Sequence, residues 1–219
     1  MDRNLGASFA AVAVELAGGT ALVPALIVVF AYLAGSIPSG LWLARLAGVD
    51  VRASGSGNIG ATNVGRTAGL RLGLLTLVFD VAKGAVPVLI ARATSPDDWF
   101  PPFVGLTAFY GHIFSLFAGL RGGKGVATAA GAFLALAPAV LGSAALVFAL
   151  LAFTTRIVSL ASIAAALTLP AAALLGGQPQ ALSLAAGVAA ATIVLTHRQN
   201  IGRLLRGAEP RFSVRSGKS

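Results

Sequence analysis

Residues 21–46 read ALVPALIVVFAYLAGSIPSGLWLARL, an almost unbroken apolar run. At a rise of about 1.5 Å per residue, a helix of this length crosses the roughly 30 Å of hydrocarbon in a bilayer. The cluster at 35–40 places glycine, serine and Pro38 inside the run, and proline removes a backbone donor and breaks or kinks a helix. In a membrane such a break persists only where the freed backbone groups find partners. The stretch therefore predicts a membrane helix that is broken near Pro38.

Similar apolar runs recur along the whole chain. Of its 219 residues, 57% are hydrophobic and only 11% are charged, whereas a soluble domain carries about 25% charged residues. We predict further apolar spans at about 70–90, 103–117, 126–153, 157–175 and 182–196. The pattern indicates an all-α, polytopic integral membrane protein with a single domain over residues 1–219 and no long linker.

The distribution of positive charge predicts the topology. Thirteen of the 16 Lys and Arg residues lie in four segments, at 45–71, 121–124, 156 and 198–218. The positive-inside rule places these segments in the cytoplasm and the acidic loop at 97–98 outside. Because Arg121 and Arg156 then share a side, the region 126–153 must cross twice, and we predict that it breaks at 137–139. The result is about seven transmembrane helices, with the N-terminus outside and the C-terminus cytoplasmic.

The net charge of +9 bears on the partners of the protein. In a membrane protein such an excess is typical of cytoplasmic loops that face anionic headgroups, so we expect the lipid bilayer as a partner and no nucleic acid. The basic tail at 198–219 is expected to lie against the cytoplasmic leaflet. Residues 1–19 lack the pattern of a cleaved signal peptide, and we interpret them as a short tail before a first helix that serves as its own uncleaved signal.

The inventory of reactive side chains excludes several kinds of site. The chain has no cysteine, which excludes disulfides, thiolate chemistry and cysteine-ligated metals. With 2 histidines and 7 acidic residues, a transition-metal site is hard to assemble. We predict neither a metal nor a cofactor.

Three polar segments stand out against this apolar background, and two of them are rich in glycine. Residues 54–66 read SGSGNIGATNVGR, and their backbone N–H groups and hydroxyls suit an anion, although a flexible loop between helices is the alternative. Residues 121–125 read RGGKG, in which a lysine between glycines suits phosphate capture. The alternative there is a turn whose charges only fix topology. It is not a Walker A loop, because Ala118 and Gly125 stand where that motif has glycine and Ser or Thr.

The third polar segment follows the last span and reads HRQNI from His197, with Asn200 on the same helix face. His197 is a candidate general base, an anion ligand or a plain interfacial residue. His112 stands inside a span, where a structural histidine with satisfied hydrogen bonds is more common. Asp80 and Lys83 are three residues apart on one span and can form an ion pair, which is either functional or structural.

Taken together, these segments resemble the bacterial membrane-embedded glycerol-3-phosphate acyltransferases that take their acyl group from acyl phosphate. The resemblance covers nearly the whole chain, with several long motifs in the family's order. These motifs are AYLAGSIPSG at 31–40, GVDVRASGSGNIGATNVGRTAG at 48–69, FDVAKGAVPVL at 79–89, GHIF at 111–114, RGGKGVATAAG at 121–131, TRIVSLASI at 155–163 and HRQNIGRLLRGAEP at 197–210.

The resemblance implies an enzyme that transfers a fatty acyl group from acyl phosphate to the 1-hydroxyl of sn-glycerol 3-phosphate. Its products are 1-acyl-sn-glycerol 3-phosphate and phosphate, in the first step of phospholipid synthesis. The implied location is the bacterial inner membrane, with the active site facing the cytoplasm. Because an acyl phosphate already carries a stable leaving group, no covalent acyl-enzyme is required, in agreement with the lack of cysteine and of a GxSxG elbow.

The resemblance also implies a set of site residues. Those expected to bind glycerol 3-phosphate are Ser56, Arg66, Lys124, His197 and Asn200. The catalytic candidates among them are Ser56, His197 and Asn200. Further candidates, for the carbonyl or the donor phosphate, are Asn58, Asn63, Gly122, Gly123 and Gly125, the glycines through backbone N–H groups. The base that deprotonates the 1-hydroxyl is either His197 or the phosphate of the substrate itself.

The chain departs from the family pattern at Gln199, where glutamate is usual, at Arg121, where lysine is common, and in its long N-terminal tail. Two other classes stay open. A transporter for an organic phosphate predicts ligands near the bilayer midplane, which the clustering of polar motifs at one face disfavours. A lipid-binding scaffold predicts basic loops without the paired Asn, Ser and His. The acyl chain is expected in a groove between helices that opens to the bilayer, while acyl-chain preference and oligomeric state stay open.

Overall fold

The computed structural model describes residues 21–212, and this part of the chain is built from α-helices, as predicted. One short 3₁₀ turn at Leu116–Ala118 is the other regular element in that range. The helices are α1 (Leu22–Ser36), α2 (Ser39–Leu46), α3 (Ala61–Thr67), α4 (Leu70–Thr94), α5 (Phe100–Ile113), α6 (Val126–Leu136), α7 (Pro138–Thr155), α8 (Val158–Leu175), α9 (Gln180–Thr196) and α10 (Arg198–Leu205). The predicted N-terminal tail at 1–19 lies outside the described residues.

Within the described residues, 5 helical segments are long and apolar enough to cross a membrane. They are α1 with α2, α4, α5 with the 3₁₀ turn, α7 and α8. Helices α9 and α10 form a sixth candidate that bends by 59° between Thr196 and Arg198, and α6 is a shorter apolar helix of 11 residues. The exact number of about seven spans and the orientation of the termini stay predictions.

The predicted break near Pro38 is confirmed. Helix α1 ends at Ser36 and α2 begins at Ser39, so two residues interrupt the helical hydrogen bonds. The carbonyl of Ile37 accepts a hydrogen bond from Lys83 Nζ at 2.9 Å, and the Ser36 carbonyl accepts one from the Ser115 hydroxyl. The freed backbone groups thus have the partners that a membrane break requires.

The predicted break at 137–139 is also confirmed, because α6 ends at Leu136 and α7 begins at Pro138. Proline at the first position of a helix loses no intrahelical hydrogen bond, so Pro138 ends one helix and begins the next. The same rule explains an error in a predicted boundary. Helix α5 begins at Phe100 instead of 103 because Pro101 and Pro102 sit in its first turn, where their missing N–H groups cost nothing.

Small residues bring the central helices into close contact. A Cβ added to Gly84 of α4 would lie 2.0 Å from the Thr128 carbonyl oxygen of α6, and one on Gly131 would lie 1.9 Å from the Val81 carbonyl oxygen. The backbones of α4 and α6 therefore touch, as small residues allow in membranes. Gly73 packs likewise against Gly65 of α3, where its Cβ would lie 2.6 Å from the Gly65 Cα.

The lengths of the helices place the loop between α5 and α6 below the level at which α4 begins. Helix α4 has 25 residues, whereas α5 has 14 and covers only about 21 Å. Asp80 lies ten residues after the first residue of α4, about 15 Å along the helix axis, and it is beside His112 at the end of α5. The loop that follows α5 therefore lies in a recess below the first turns of α4.

Candidate active site

One cavity of about 320 Å³ joins the three polar segments to an apolar channel. Its apolar walls come from α6, α7 and α8, with Leu141, Ala144, Phe148, Ala165 and Leu169 among them. Its polar side chains are Ser56, Asn58, Thr62, Asn63, Arg66, Asp80, His112, Lys124, Ser159, Ser162, His197, Asn200, Arg203 and Glu209. A cavity with one charged end and one apolar end suits an amphiphilic ligand.

Asn63 organises the loop at 51–60 from inside. Its side-chain Nδ2 donates to the carbonyls of Val51, Ser54 and Asn58 at 3.0, 3.1 and 2.9 Å, and its Oδ1 accepts the Ser56 N–H at 2.8 Å. These contacts occupy both ends of the amide. Asn63 therefore shapes the loop, and the prediction that it contacts the carbonyl or donor phosphate is replaced by this positioning role.

The other predicted residues of the first loop face the cavity. Ser56 is exposed and its hydroxyl is not needed for the loop, which uses the Ser56 N–H. Asn58 is half-buried and lines the same cavity. Arg66 lies in the last turn of α3 with an exposed guanidinium at the cavity rim. All three residues line the cavity, and their contact with an anion stays a prediction.

Arg52 connects the first loop to the second and was missed as a site residue. Its Nη2 donates to the carbonyl oxygens of Ala118 and Arg121 at 2.9 and 2.8 Å, across 66 and 69 residues of sequence. In the sequence, Arg52 counted only as one of the topology-setting charges. The two contacts show that it also fixes the distance between the two glycine-rich loops.

The glycines of the RGGKG loop serve the fold rather than an anion. Gly122 N–H donates to the Ile113 carbonyl at 2.9 Å and Gly123 N–H to the His112 carbonyl at 3.2 Å, so both donors are used. A Cβ on Gly122 would lie 1.8 Å from the His112 carbonyl oxygen. Among the described residues, neither glycine lines the cavity. The prediction that their N–H groups bind phosphate is therefore wrong, because close packing against α5 requires those glycines and occupies those donors.

Gly125, by contrast, does line the cavity. Its φ of +84° lies in the left-handed region, and a Cβ there would lie 2.2 Å from Cε2 of the Phe109 ring. Glycine is therefore required at this position for two reasons: the backbone adopts a left-handed turn, and the Phe109 ring leaves no space for a Cβ. The turn leads directly into α6 at Val126 and leaves Lys124 facing the cavity.

Lys124 holds the second loop against the third polar segment. Its ammonium donates to Oδ1 of Asn200, and its carbonyl accepts the Thr196 hydroxyl at 3.2 Å. Burial lowers the pKa of Lys124 to about 8, helped by the charges of Arg203 and Arg66, while Glu209 raises it. A pKa of about 8 leaves the ammonium largely charged at pH 7, so Lys124 is a partly desolvated cation at the polar end of the cavity.

His197 has a fixed ring orientation. Its side chain is buried, and Nδ1 lies 2.8 Å from the Ile193 carbonyl oxygen, which can only accept a hydrogen bond. Nδ1 therefore carries the proton, and in the neutral ring Nε2 is the free acceptor. This tautomer is the one that a general base at Nε2 requires.

Glu209 is a site residue that sequence reasoning missed. Its Oε1 accepts hydrogen bonds from Ser159 Oγ at 2.7 Å and Asn200 Nδ2 at 2.5 Å, and its Oε2 lies 2.7 Å from Arg203 Nε. Burial alone would raise the pKa of Glu209, but the hydrogen bonds from Asn200, Ser159 and Arg203 outweigh it and lower that pKa. The signal in the sequence was a single acid within the basic tail at 198–219.

The beginning of the C-terminal tail packs against the helices. The segment after α10 returns to α8 and brings Glu209 and Pro210 to the cavity wall, while the position of the tail against the leaflet stays a prediction. The Phe212 N–H donates to the Arg156 carbonyl at 2.7 Å. Gln199, at the position where the family usually has glutamate, is exposed on α10.

The predicted ion pair between Asp80 and Lys83 is confirmed at 2.7 Å, with both side chains buried. His112 lies next to it, with Nδ1 3.7 Å from Asp80 Oδ1. That nitrogen has no hydrogen-bond partner among the described residues, so the prediction of a histidine with satisfied hydrogen bonds is wrong. Both Asp80 and His112 face the cavity.

Comparison with known proteins agrees with this geometry. The family model described as glycerol-3-phosphate acyltransferase matches residues 25–207. The chain belongs to the glycerol-3-phosphate acyltransferase family. It is 50% identical over 186 residues to a glycerol-3-phosphate acyltransferase of Geobacter sulfurreducens, which covers 84% of this chain and 95% of that relative.

Two solved structures of an integral membrane member of this family are similar in fold. They are crystal structures of PlsY (YgiH) in a glycerol 3-phosphate form and a lysophosphatidic acid form, with TM-scores of 0.85 and 0.82. Both are 43% identical to this chain and cover 87% of it and 96% of PlsY. The resemblance stated from the motifs is thus confirmed, and the transporter and scaffold alternatives are set aside.

Proposed function

We propose that this protein transfers a fatty acyl group from acyl phosphate to the 1-hydroxyl of sn-glycerol 3-phosphate and releases phosphate. The single observation that carries the proposal is one cavity in which Lys124, Arg66 and His197 meet an apolar channel. Such a cavity can hold a phosphate and an alkyl chain at the same time. Membership of the glycerol-3-phosphate acyltransferase family supports the acceptor.

The phosphate of glycerol 3-phosphate is bound at the polar end. Lys124 supplies a compact charge and Arg66 a planar guanidinium that pairs with two phosphate oxygens. Ser56 and Asn200, which line the same cavity, add neutral hydrogen bonds. Because Lys124 is partly desolvated, its attraction to a phosphate is stronger than that of an exposed lysine.

The reaction is a direct displacement at the acyl carbon. The 1-hydroxyl oxygen forms the new ester bond, the bond between the acyl carbon and the phosphate oxygen breaks, and phosphate leaves with the electron pair. The hydroxyl proton passes to Nε2 of His197 or to an oxygen of the substrate phosphate. Positioning of the two substrates and stabilisation of the developing charge supply the catalysis.

The acyl chain occupies the apolar channel beside α7 and α8. Phe148 and Ala145 line the channel from α7, and Ala165 and Leu169 line it from α8. Leu169 lies ten residues beyond Ser159 on α8, which is about 15 Å along the helix axis. This path leads the chain away from the charged end into the apolar part of the protein.

The donor is tested with purified protein, glycerol 3-phosphate and either palmitoyl phosphate or palmitoyl-CoA. We expect 1-acylglycerol 3-phosphate by mass spectrometry with palmitoyl phosphate, in equal amount to the phosphate released. No product is expected with palmitoyl-CoA, because the family resemblance implies acyl phosphate as the donor. Product from palmitoyl-CoA alone would contradict the proposed donor.

The two candidate bases are separated by the variant His197→Asn. Loss of a general base lowers kcat by about 10²- to 10⁴-fold. If the substrate phosphate accepts the proton, the variant instead changes the KM for glycerol 3-phosphate and leaves kcat within about tenfold of wild type. The control is Gln199→Ala, two residues away and exposed.

The cytoplasmic orientation of the site in a bacterial inner membrane rests on the positive-inside rule. The chain has no cysteine, so single cysteines can be introduced for labelling without further changes. Arg156→Cys is expected to react with a membrane-impermeant maleimide only after the cells are opened. Asp97→Cys is expected to react in intact cells with a permeable outer membrane, and the reverse pattern would contradict the orientation.

A further inference from the structure

A buried polar cluster lies beneath the RGGKG loop and has no part in the proposed displacement. Asp80 is its centre and is 2% exposed. Its Oδ1 lies 2.7 Å from Lys83 Nζ, accepts the Ser39 hydroxyl at 2.7 Å, and lies 3.7 Å from His112 Nδ1. A buried charge of this kind costs solvation energy and is kept where it has a task.

The cluster joins segments that are otherwise separate. Ser39 begins α2 after the break, and Lys83 also donates to the Ile37 carbonyl within that break at 2.9 Å. Asp80 and Lys83 belong to α4, and His112 belongs to the end of α5. The cluster around Asp80 therefore joins the helix break, α4 and the segment that leads into the RGGKG loop.

His112 transmits this arrangement to the loop through two contacts with Gly123. The His112 carbonyl accepts the Gly123 N–H at 3.2 Å, and the ring packs against the same residue, since a Cβ on Gly123 would lie 2.3 Å from Nε2. Nδ1 faces Asp80 and Nε2 faces the loop. The ring thus lies between the carboxylate and the residue that precedes Lys124.

The RGGKG loop needs this support because its own sequence gives the backbone little rigidity. Glycine has the largest backbone freedom of any residue, and three of the four residues from Gly122 to Gly125 are glycine. Lys124 adds a long flexible side chain that ends in a compact point charge. Catalytic geometry tolerates errors of only about half an ångström, so a glycine loop that carries a binding lysine requires a rigid floor.

We propose that His112, whose Nδ1 faces Asp80 at 3.7 Å, is a positioning residue that fixes the position of Lys124 for the substrate phosphate. This inference rests on the proposed role of Lys124 in binding glycerol 3-phosphate. His112 acts through the loop and does not touch the reacting atoms. Its loss therefore weakens phosphate binding while the chemistry of the bound complex continues.

The test is steady-state kinetics of His112→Ala, His112→Gln and Asp80→Asn, with Thr107→Ala, at a half-buried position five residues earlier on α5, as the control. We expect the KM for glycerol 3-phosphate to rise about ten- to a hundredfold in the His112 variants, as for displacement of a binding group by about 1 Å. We expect kcat to stay within threefold of wild type and Asp80→Asn to show the same split. Thr107→Ala should match wild type in both constants.

A second pair of variants separates support from simple space filling. Gly123→Ala places a methyl group against the His112 ring and is expected to raise the KM. In Gly123→Ala with His112→Ala the clash is gone but the support is absent, so the KM should stay raised. Recovery of the wild-type KM in this double variant would overturn the proposal, because the ring would then only fill space.

Lys124→Ala, measured in the same series, separates failure of the proposed phosphate-binding role of Lys124 from failure of the positioning role of His112. A normal KM in Lys124→Ala contradicts the proposed function of that residue. A raised KM in Lys124→Ala with a normal KM in both His112 variants overturns the positioning role alone. Reduced kcat and melting temperature in the His112 variants at unchanged KM would likewise assign the cluster to stability only.

Discussion

The alkaline limit of substrate binding follows from the environment of Lys124. Its pKa is lowered to about 8, first by burial, and the ammonium binds phosphate only when protonated. With that pKa the charged fraction falls from about nine-tenths at pH 7 to about one-tenth at pH 9. The second pKa of a phosphate monoester is about 6, so the substrate keeps its charge over this range. We therefore expect kcat/KM for glycerol 3-phosphate to fall about tenfold between pH 7 and pH 9.

The assay is kcat/KM from initial rates of phosphate release at fixed ionic strength, since this ratio reports the protonation of the free enzyme. Lys124→Arg is the deciding variant, because a guanidinium stays charged above pH 12. Whatever its absolute activity, Lys124→Arg should show no decline between pH 7 and pH 9. A decline that persists unchanged in Lys124→Arg would refute the assignment of this limb to Lys124.

Three further predictions concern the supports of the site. Glu209→Gln should move the alkaline limb to lower pH, because the carboxylate raises the pKa of the neighbouring lysine, and an unmoved limb would contradict that coupling. Arg52→Met should raise the KM for glycerol 3-phosphate about tenfold, because it removes two hydrogen bonds of about 1 kcal/mol or less each. The control Arg71→Met, at another exposed arginine, should leave this KM unchanged. Gly84→Ala should lower stability by about 1–3 kcal/mol through overpacking against α6, read as an earlier melting transition, whereas Gly187→Ala meets open space and should melt like wild type.

The helix breaks could be predicted because their causes are local. Pro38 and Pro138 each interrupt an apolar run, and proline acts on its own backbone and on the preceding turn. The positive charges of Arg121 and Arg156 then predicted that the apolar run at 126–153 divides into two helices. The structure has the break at the predicted place, between Leu136 and Pro138.

The composition of the site could be predicted only in part. Lys124, Arg66 and His197 were found because charged and titratable side chains are rare in an apolar chain. Their neighbours depend on contacts between distant residues, as with Glu209, which meets Ser159 across 50 residues of sequence. No local pattern predicts that the tail turns back to α8 at this point.

Glycines and amides were the hardest residues to interpret. A glycine shows that a side chain is missing but not which atom fills the space, and at Gly122 that atom is a carbonyl oxygen of α5. Asn63 has the same functional group as Asn58, yet only Asn63 is enclosed by the backbone of its own loop. Such assignments require the three-dimensional course of the loop.

The proposed function requires that Lys124 binds the acceptor phosphate in the cavity that also holds the acyl donor. Calorimetric titration of glycerol 3-phosphate into purified wild-type protein and into Lys124→Ala tests it most directly, with the melting temperature as the control for folding. We predict saturable binding to wild type and a loss of at least about tenfold in affinity in a Lys124→Ala protein that is still folded. Equal affinity in the two proteins would contradict the account.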